Sequence, residues 1–284
     1  MYYLLLIFLY PLALLPLRVL YVLSDIIYVL LYRVAGYRKQ VVLSNLRHAF
    51  PEKDDQEIRR IMRLFYHNFC DQWMETLKLL TISPKELNKR ITGNWEVFHE
   101  LDRENRNTYI LLGHTFNWEW GNVALQYNNS QQFAGVYQPV ANKGFDRLMF
   151  RLRSRGGGWM ISMKAKKGFQ RLEGVRYLVG LIADQNPSNI KGSIWLPFMH
   201  RQAPFFKGPE QLATRAKAAV TFVGIKKLKR GYYNITISLF TKDASQLASG
   251  VVMKAYVAFM EQQLREQPEN WLWSHKRWKH TQGV

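Results

Sequence analysis

Within residues 107–122, NTYILLGHTFNWEWGN, a histidine and a glutamate stand five positions apart: His114 and Glu119. An imidazole held by a carboxylate keeps one tautomer and gains basicity. Such a pair serves as a general base that takes the proton from a hydroxyl or an amine as it attacks an electrophile. The spacing limits how the two can meet. On one helix, residues five apart point roughly 140° away from each other. His114 and Glu119 therefore face each other only if His114 sits on a turn leading into a helix and Glu119 lies in that helix's first turn.

The flanking residues supply those elements. The apolar run at residues 109–112 reads as a buried strand, Gly113 as its exit, and Asn117 as the cap of a helix that follows. Further strands are expected at residues 133–137, 160–161, 176–183, 219–225 and 232–240. In the last of these, Tyr233, Ile235, Ile237 and Leu239 alternate with polar residues. Strand ends near Gly113, Tyr137 and Ala183 put the chemistry at the carboxyl edge of a sheet, within an α/β layer architecture. Helices are expected from Asp54 or Asp55 to residue 80, with Ile58, Ile61, Phe65, Phe69, Trp73 and Leu77 at helical spacing, and at 142–153, 210–218 and 251–267. Residues 40–51 read as a linker, 86–106 as a short helix with turns, 156–158 as a glycine turn, and 186–202 as a loop.

Residues 1–32 carry only two charged side chains, Arg18 and Asp25, among Leu, Ile, Val, Tyr and Phe. A helix of that length reaches roughly 45 Å, beyond a hydrocarbon core of about 30 Å. Pro11 and Pro16 break its first half. No basic leader or small-residue cleavage site marks a signal peptide. The segment reads as a retained anchor, either one tilted span or two shorter embedded helices, followed by a body at 33–284. Arg33, Arg38 and Lys39 then place that body on the cytoplasmic side. A buried helical hairpin is the other reading. The net charge of +19 calls for an anionic partner: membrane lipid, nucleic acid or an acidic protein. Lys164, Lys166, Lys167 and Arg171 form one basic patch. The single cysteine, Cys70, excludes an intramolecular disulfide framework and falls on the apolar side of its helix. No Gly-x-Ser-x-Gly elbow is present, and His67, His200 and His275 lack metal-ligand spacing.

GHTFNWEWGN resembles the His-x4-Glu form of the acyltransferase dyad, and most closely that of the lipid A late acyltransferases, within the lysophospholipid acyltransferase superfamily. Other blocks follow in the family's order. Asn45, Leu46, Phe50 and Pro51 are similar to its segment after the anchor. Tyr137, Gln138, Pro139 and Asn142 are similar to its second block, and Arg151 and Arg153 to its arginine block. Asp184, Gln185, Asn186 and Pro187 are similar to its third block, and WLWSHKRWK at residues 271–279 to its tail. Met199 and His200 depart from the aromatic and glycine of many members, at the acceptor end.

The resemblance implies an α/β fold whose mixed sheet is flanked by helices, behind an N-terminal membrane-anchoring helical segment. It also implies a bacterial inner-membrane acyltransferase that needs no cofactor and no metal. Its donor would be an acyl carrier protein or acyl-CoA thioester, and its acceptor a lipid A precursor hydroxyl. His114 would be the base, Glu119 its orienting carboxylate, and Arg153, then Arg151, a phosphate contact. Asp184 would order its loop and Arg153 through an ion pair. Gln138, Asn142 and Gln185 are carried over as substrate-binding residues. The dyad itself does not recognise a sugar, so O- or N-acylation of a phospholipid or aminolipid stays open. A membrane-tethered nucleic-acid binder would suit the charge, but no helix-turn-helix, zinc-finger or RNA-binding strand motif supports it. Trp195, Phe198 and Met199 could line an acyl tunnel or fill core. The tryptophans and cations of the tail suit either an interface or packing onto the body.

Overall fold

A computed structural model describes residues 1–165 and 167–280; Lys166 of the basic patch lies outside the described residues. In chain order the elements are α1 (Tyr2–Leu14), α2 (Leu17–Tyr28), α3 (Lys39–Ala49), α4 (Asp55–Lys78), α5 (Pro84–Arg90), β1 (Ile91–Gly93), α6 (Glu96–Arg103), β2 (Thr108–Leu112), α7 (Trp118–Tyr127) and β3 (Gln132–Tyr137). Then come α8 (Lys143–Arg153), β4 (Trp159–Ser162), β5 (Tyr177–Ile182), β6 (Ile194–Phe198), β7 (Arg201–Phe205), α9 (Gly208–Arg215), β8 (Ala219–Lys229), β9 (Tyr232–Thr241) and α10 (Val251–Glu266).

Seven strands form one sheet in the order β1-β9-β8-β2-β5-β3-β4. All neighbours are parallel except β8 and β9, so the sheet is mixed. Every residue of β2 is buried, as expected for a strand covered on both faces. Its side chains alternate between two cores. Tyr109 and Leu111 join Phe65 of α4 and Tyr256 of α10 on one face. Ile110 and Leu112 join Trp120 and Val123 of α7 on the other.

Three segments differ from the sequence reading. Residues 40–51 are mostly helical, because Val42, Leu46 and Ala49 bury one stripe against the body. Residues 186–202 hold β6 and the start of β7, an antiparallel hairpin. Pro197 and Pro204 disguise it, since proline removes a ladder donor and argues against a strand. Phe198 and Met199 fill core there. Residues 86–106 hold more order than a helix with turns: α5, β1 and α6 succeed one another.

Among the described residues, no single helix is long and apolar enough to cross a membrane. Pro11 sits inside α1, while the break comes at Leu15 and Pro16, where the chain bends by 116° between α1 and the helical stretch Leu17–Val34. Leu4, Ile7, Phe8, Val22, Ile26 and Leu30 are exposed. The inner side of α2 is held to α4: Ser24 Oγ donates to Asp71 at 2.7 Å and Tyr21 Oη to Glu75 at 2.9 Å.

Candidate active site

β2 and β5 are parallel neighbours with Leu112 level with Ile182. His114 and Asp184 each follow two residues beyond those strand ends, so the register brings them to the same edge. His114 Nδ1 lies 2.6 Å from Asp184 Oδ1, and the His114 backbone N–H donates to Oδ2 at 2.8 Å. The Trp271 indole N–H, from the tail, donates to the same Oδ2 at 2.6 Å. Burial works against ionisation of Asp184, but the imidazole and these donors outweigh it and hold its pKa below the ordinary aspartate value. Gly113 allows the approach: a Cβ there would lie 2.2 Å from Met260 Cε and 3.3 Å from Asp184 Oδ2.

His114 stands on the turn and Glu119 in the first turn of α7, as the spacing requires. Asn117 caps the helix, accepting from the Trp120 N–H at 3.0 Å. The expected contact between imidazole and glutamate is nevertheless corrected. The carboxylate on His114 is Asp184, and Glu119 binds Arg153 instead, with Nε at 2.9 Å from Oε2 and Nη2 at 2.5 Å from Oε1. The expected ion pair between Asp184 and Arg153 is corrected in the same exchange. A guanidinium matches a carboxylate two bonds at a time, which an imidazole cannot do. Burial lowers the Arg153 pKa, yet Glu119 more than offsets this and the net shift is upward.

His114, Trp118, Glu119, Asn122, Gln138 and Arg153 line one cavity of about 240 Å³ between α7 and the sheet. His114, Gln138 and Gln185 lie beyond the strand ends at its open edge, and apolar depth comes from Phe133, level with Leu178 four residues below the end of β5. A second cavity of about 350 Å³ lies between α4 and α8. Trp118, Glu119, Arg153 and Gln185 line both and form the wall between them. The Gln185 amide nitrogen is 3.5 Å from His114 Nε2, the ring nitrogen that Asp184 leaves free.

Other expected site residues lie elsewhere. Arg151 donates to Tyr2 Oη at 3.0 Å and lines neither cavity. Asn142 caps α8, accepting from Gly144 and Phe145, and lines neither cavity. Trp195, Phe198 and Met199 are absent from both linings. Cys70 is buried, with its thiol pKa pushed up to about 12 by desolvation, which makes it a poor nucleophile.

Two supports hold the site from outside it; packing of the tail is one of the two sequence readings, and Glu75 was not foreseen. The tail packs onto the body: Trp271 and Trp273 are buried, Thr115 bridges Trp271, and Asn45 Nδ2 donates to the Trp273 carbonyl at 2.8 Å. Glu75, fully buried on α4, accepts from Tyr21 at 2.9 Å, Asn117 at 2.8 Å and Tyr233 at 2.7 Å. Only its place on the apolar stripe of α4, where a carboxylate needs partners, could have signalled it.

The profile of a family described as Bacterial lipid A biosynthesis acyltransferase matches residues 1–280. The chain belongs to that family. A similar protein is the Lipid A biosynthesis lauroyltransferase of Escherichia coli (strain K12), 26% identical over 270 residues that cover 93% of this chain and 87% of the other. Family membership carries acyl transfer as the general activity, and the mixed sheet, flanked by helices, brings His114 and Asp184 to its carboxyl edge.

Proposed function

We propose that the protein transfers a fatty acyl chain from a thioester to a hydroxyl of a lipid A precursor at the inner face of the bacterial cytoplasmic membrane. The observation that carries this reading is the pairing of His114 with Asp184 at the mouth of a cavity that is polar at its rim and apolar at its depth. Asp184 fixes the proton on Nδ1 and leaves Nε2 to take the acceptor's proton. The hydroxyl oxygen attacks the thioester carbonyl, the tetrahedral oxyanion collapses, and the thiol leaves with the proton from His114. The Gln185 amide, 3.5 Å from Nε2, and the Arg153 guanidinium are the nearby donors for that oxyanion. Glu119 holds Arg153 at the wall between the cavities. The acyl chain occupies the apolar slot beside α7.

The exposed apolar residues of α1 and α2 support a membrane seat for residues 1–32, as a bent pair rather than a straight span, with residues 33–284 in the cytoplasm. Arg33, Arg38 and Lys39 follow directly and favour that side. The basic surface suits an acidic acyl carrier protein or acyl-CoA as donor. The test uses membranes bearing the full chain, an acyl carrier protein thioester with a labelled chain, and a lipid A precursor. Label should move to the lipid with the native chain and not with His114→Ala. Transfer that survives in His114→Ala removes the base from the mechanism. Transfer to a phospholipid or aminolipid, with none to the precursor, moves the acceptor to that class.

A further inference from the structure

Gln72 lies on α4 and is 3% exposed, yet neither its amide nitrogen nor its amide oxygen has a hydrogen-bond partner among the described residues. A buried polar side chain left without partners is rare and points to a group that completes it. Gln72 lines the second cavity, on the far side of the Glu119–Arg153 wall from the apolar slot. Arg38 lines it too. Its guanidinium donates to the Ser274 carbonyl at 2.9 Å and has no carboxylate within 4.0 Å among the described residues. Arg38 also holds a left-handed backbone, φ 51°, which a non-glycine residue adopts at a cost and which recurs at functional sites. Phe69, Trp73 and Phe145 add aromatic faces to the same lining.

We infer that this second cavity is a binding site for the headgroup of the acceptor lipid, and that the headgroup is phosphorylated and rich in hydroxyls. The inference rests on the acyltransferase reading and assigns the half of the site that reading leaves open. Hydrocarbon would leave the Gln72 amide dry and unpaired, so the acyl chain does not belong here. A hydroxyl both donates and accepts and satisfies an amide at either end. A phosphate oxygen suits Arg38, a planar donor without a carboxylate. Aromatic faces cover the apolar side of a sugar or glycerol unit. A headgroup seated here reaches the wall at Gln185, which lines both cavities and whose amide nitrogen lies 3.5 Å from His114 Nε2.

The test compares the full-length native chain with Gln72→Leu and Arg38→Gln in detergent micelles, at saturating acyl carrier protein thioester. Three acceptors are offered: a phosphorylated glucosamine-disaccharide lipid, its dephosphorylated form, and phosphatidylglycerol. Gln72→Leu should raise the acceptor KM about tenfold, the loss of one good hydrogen bond, and leave the donor KM within about twofold. Its melting temperature should hold or rise, because the orphaned amide is gone. Arg38→Gln should erase the preference for the phosphorylated disaccharide lipid over its dephosphorylated form. If phosphatidylglycerol alone is used, and both substitutions raise its KM, the site stands with a glycerol headgroup. Unchanged acceptor KM in both variants, or a rise confined to the donor, overturns the inference. If the native chain acylates none of the three, the acyltransferase reading fails. The cavity is then read by binding of the phosphorylated disaccharide lipid in vesicles: weaker binding by Gln72→Leu supports the site, and equal binding overturns it.

Discussion

Asp184 Oδ1 sits 2.6 Å from His114 Nδ1 because two parallel strands end at the same level and each chain runs two residues further. The carboxylate is thereby fixed by the sheet, and Glu119 is free to serve Arg153. The two carboxylates should then fail differently. Asp184→Asn presents an amide where the imidazole needs an acceptor, and its turnover should fall by about 10²–10⁴-fold, as for loss of a general base. His114→Ala should fall as far, and the double variant little further, since the pair acts as a unit. Steady-state thioester transfer checks this. Additive losses would separate the two residues.

Glu119 and Arg153 form a bidentate pair whose side chains are 5% and 27% exposed. Removing one partner leaves the other charge stranded, at a cost of about 3–5 kcal/mol for a buried pair and less here because Arg153 is part-exposed. Glu119→Gln and Arg153→Met should each lower the melting temperature, and the double variant should recover most of it while transfer stays lost. Thermal unfolding of all four proteins gives the cycle. A double variant that is no more stable than the worse single variant argues that the pair contributes nothing beyond its separate packing.

Glu75 ties three elements by its carboxylate: α2 through Tyr21, β9 through Tyr233, and the start of α7 through Asn117. Its pKa is raised, first by burial and then by the neighbouring Asp71, while Lys227 and the hydrogen bonds from Tyr233 and Asn117 oppose the shift. An amide there turns two protons toward groups that are themselves donors. Glu75→Gln should destabilise the fold by about 1–3 kcal/mol, the range for an orphaned buried donor. Amide exchange in the first turn of α7 should quicken, while exchange in α10 should not. Uniform change across both helices would mean a general loss of stability and no local tie.

His275 and His48 have pKa values pushed down to about 4, chiefly by burial. Asp184 opposes the shift at His275, and Arg277, His114 and Lys279 reinforce it; at His48 a hydrogen bond to the Met199 backbone opposes it, and Arg201 and His200 reinforce it. The unfolded chain binds these protons near pH 6.5 and the folded chain only near 4. Stability is therefore full above about pH 6.5 and declines as pH falls toward 4. Both rings are partly exposed, which limits the effect to about 1 kcal/mol each, or a few degrees of melting temperature per ring. Melting curves at pH 7, 5.5 and 4.5 read it directly. His275→Gln should flatten the decline, because Asn186 already meets His275 Nε2 as a donor.

Apart from β1, the sheet was legible because its strands are short apolar runs with glycine or polar exits, and the cap at Asn117 is a local signal. Glu119 could be placed in the first turn of α7 from spacing alone. Its partner could not. Which carboxylate reaches His114 depends on the register between β2 and β5, a contact across 70 residues that no local pattern encodes. The same holds for Trp271 on Asp184 and Glu75 under Asn117. Residues 40–51 passed for a linker because basic and polar residues surround the stripe of Val42, Leu46 and Ala49.

The apolar slot beside α7 is kept open by two residues that lack side chains. Gly135 and Gly180 are level on β3 and β5 and line the cavity. A Cβ at Gly180 would lie 3.1 Å from a ring carbon of Phe133, and one at Gly135 would lie 3.0 Å from Met160 Cε. Phe133 and Met160 lie deep in the slot, roughly 13 Å below the strand end for Phe133, which is level with Leu178. If the acyl chain runs down this slot, Gly180→Ala should displace the Phe133 ring into it and shift the transferred chains shorter. Phe133→Ala should shift them longer, at a stability cost of about 3–5 kcal/mol for a large-to-small core change. Mass spectrometry of the lipid product, from an equimolar mixture of acyl carrier protein thioesters of different length, gives the distribution. An unchanged distribution in both variants, with transfer retained, would place the chain outside this slot while leaving His114 and Asp184 in their roles.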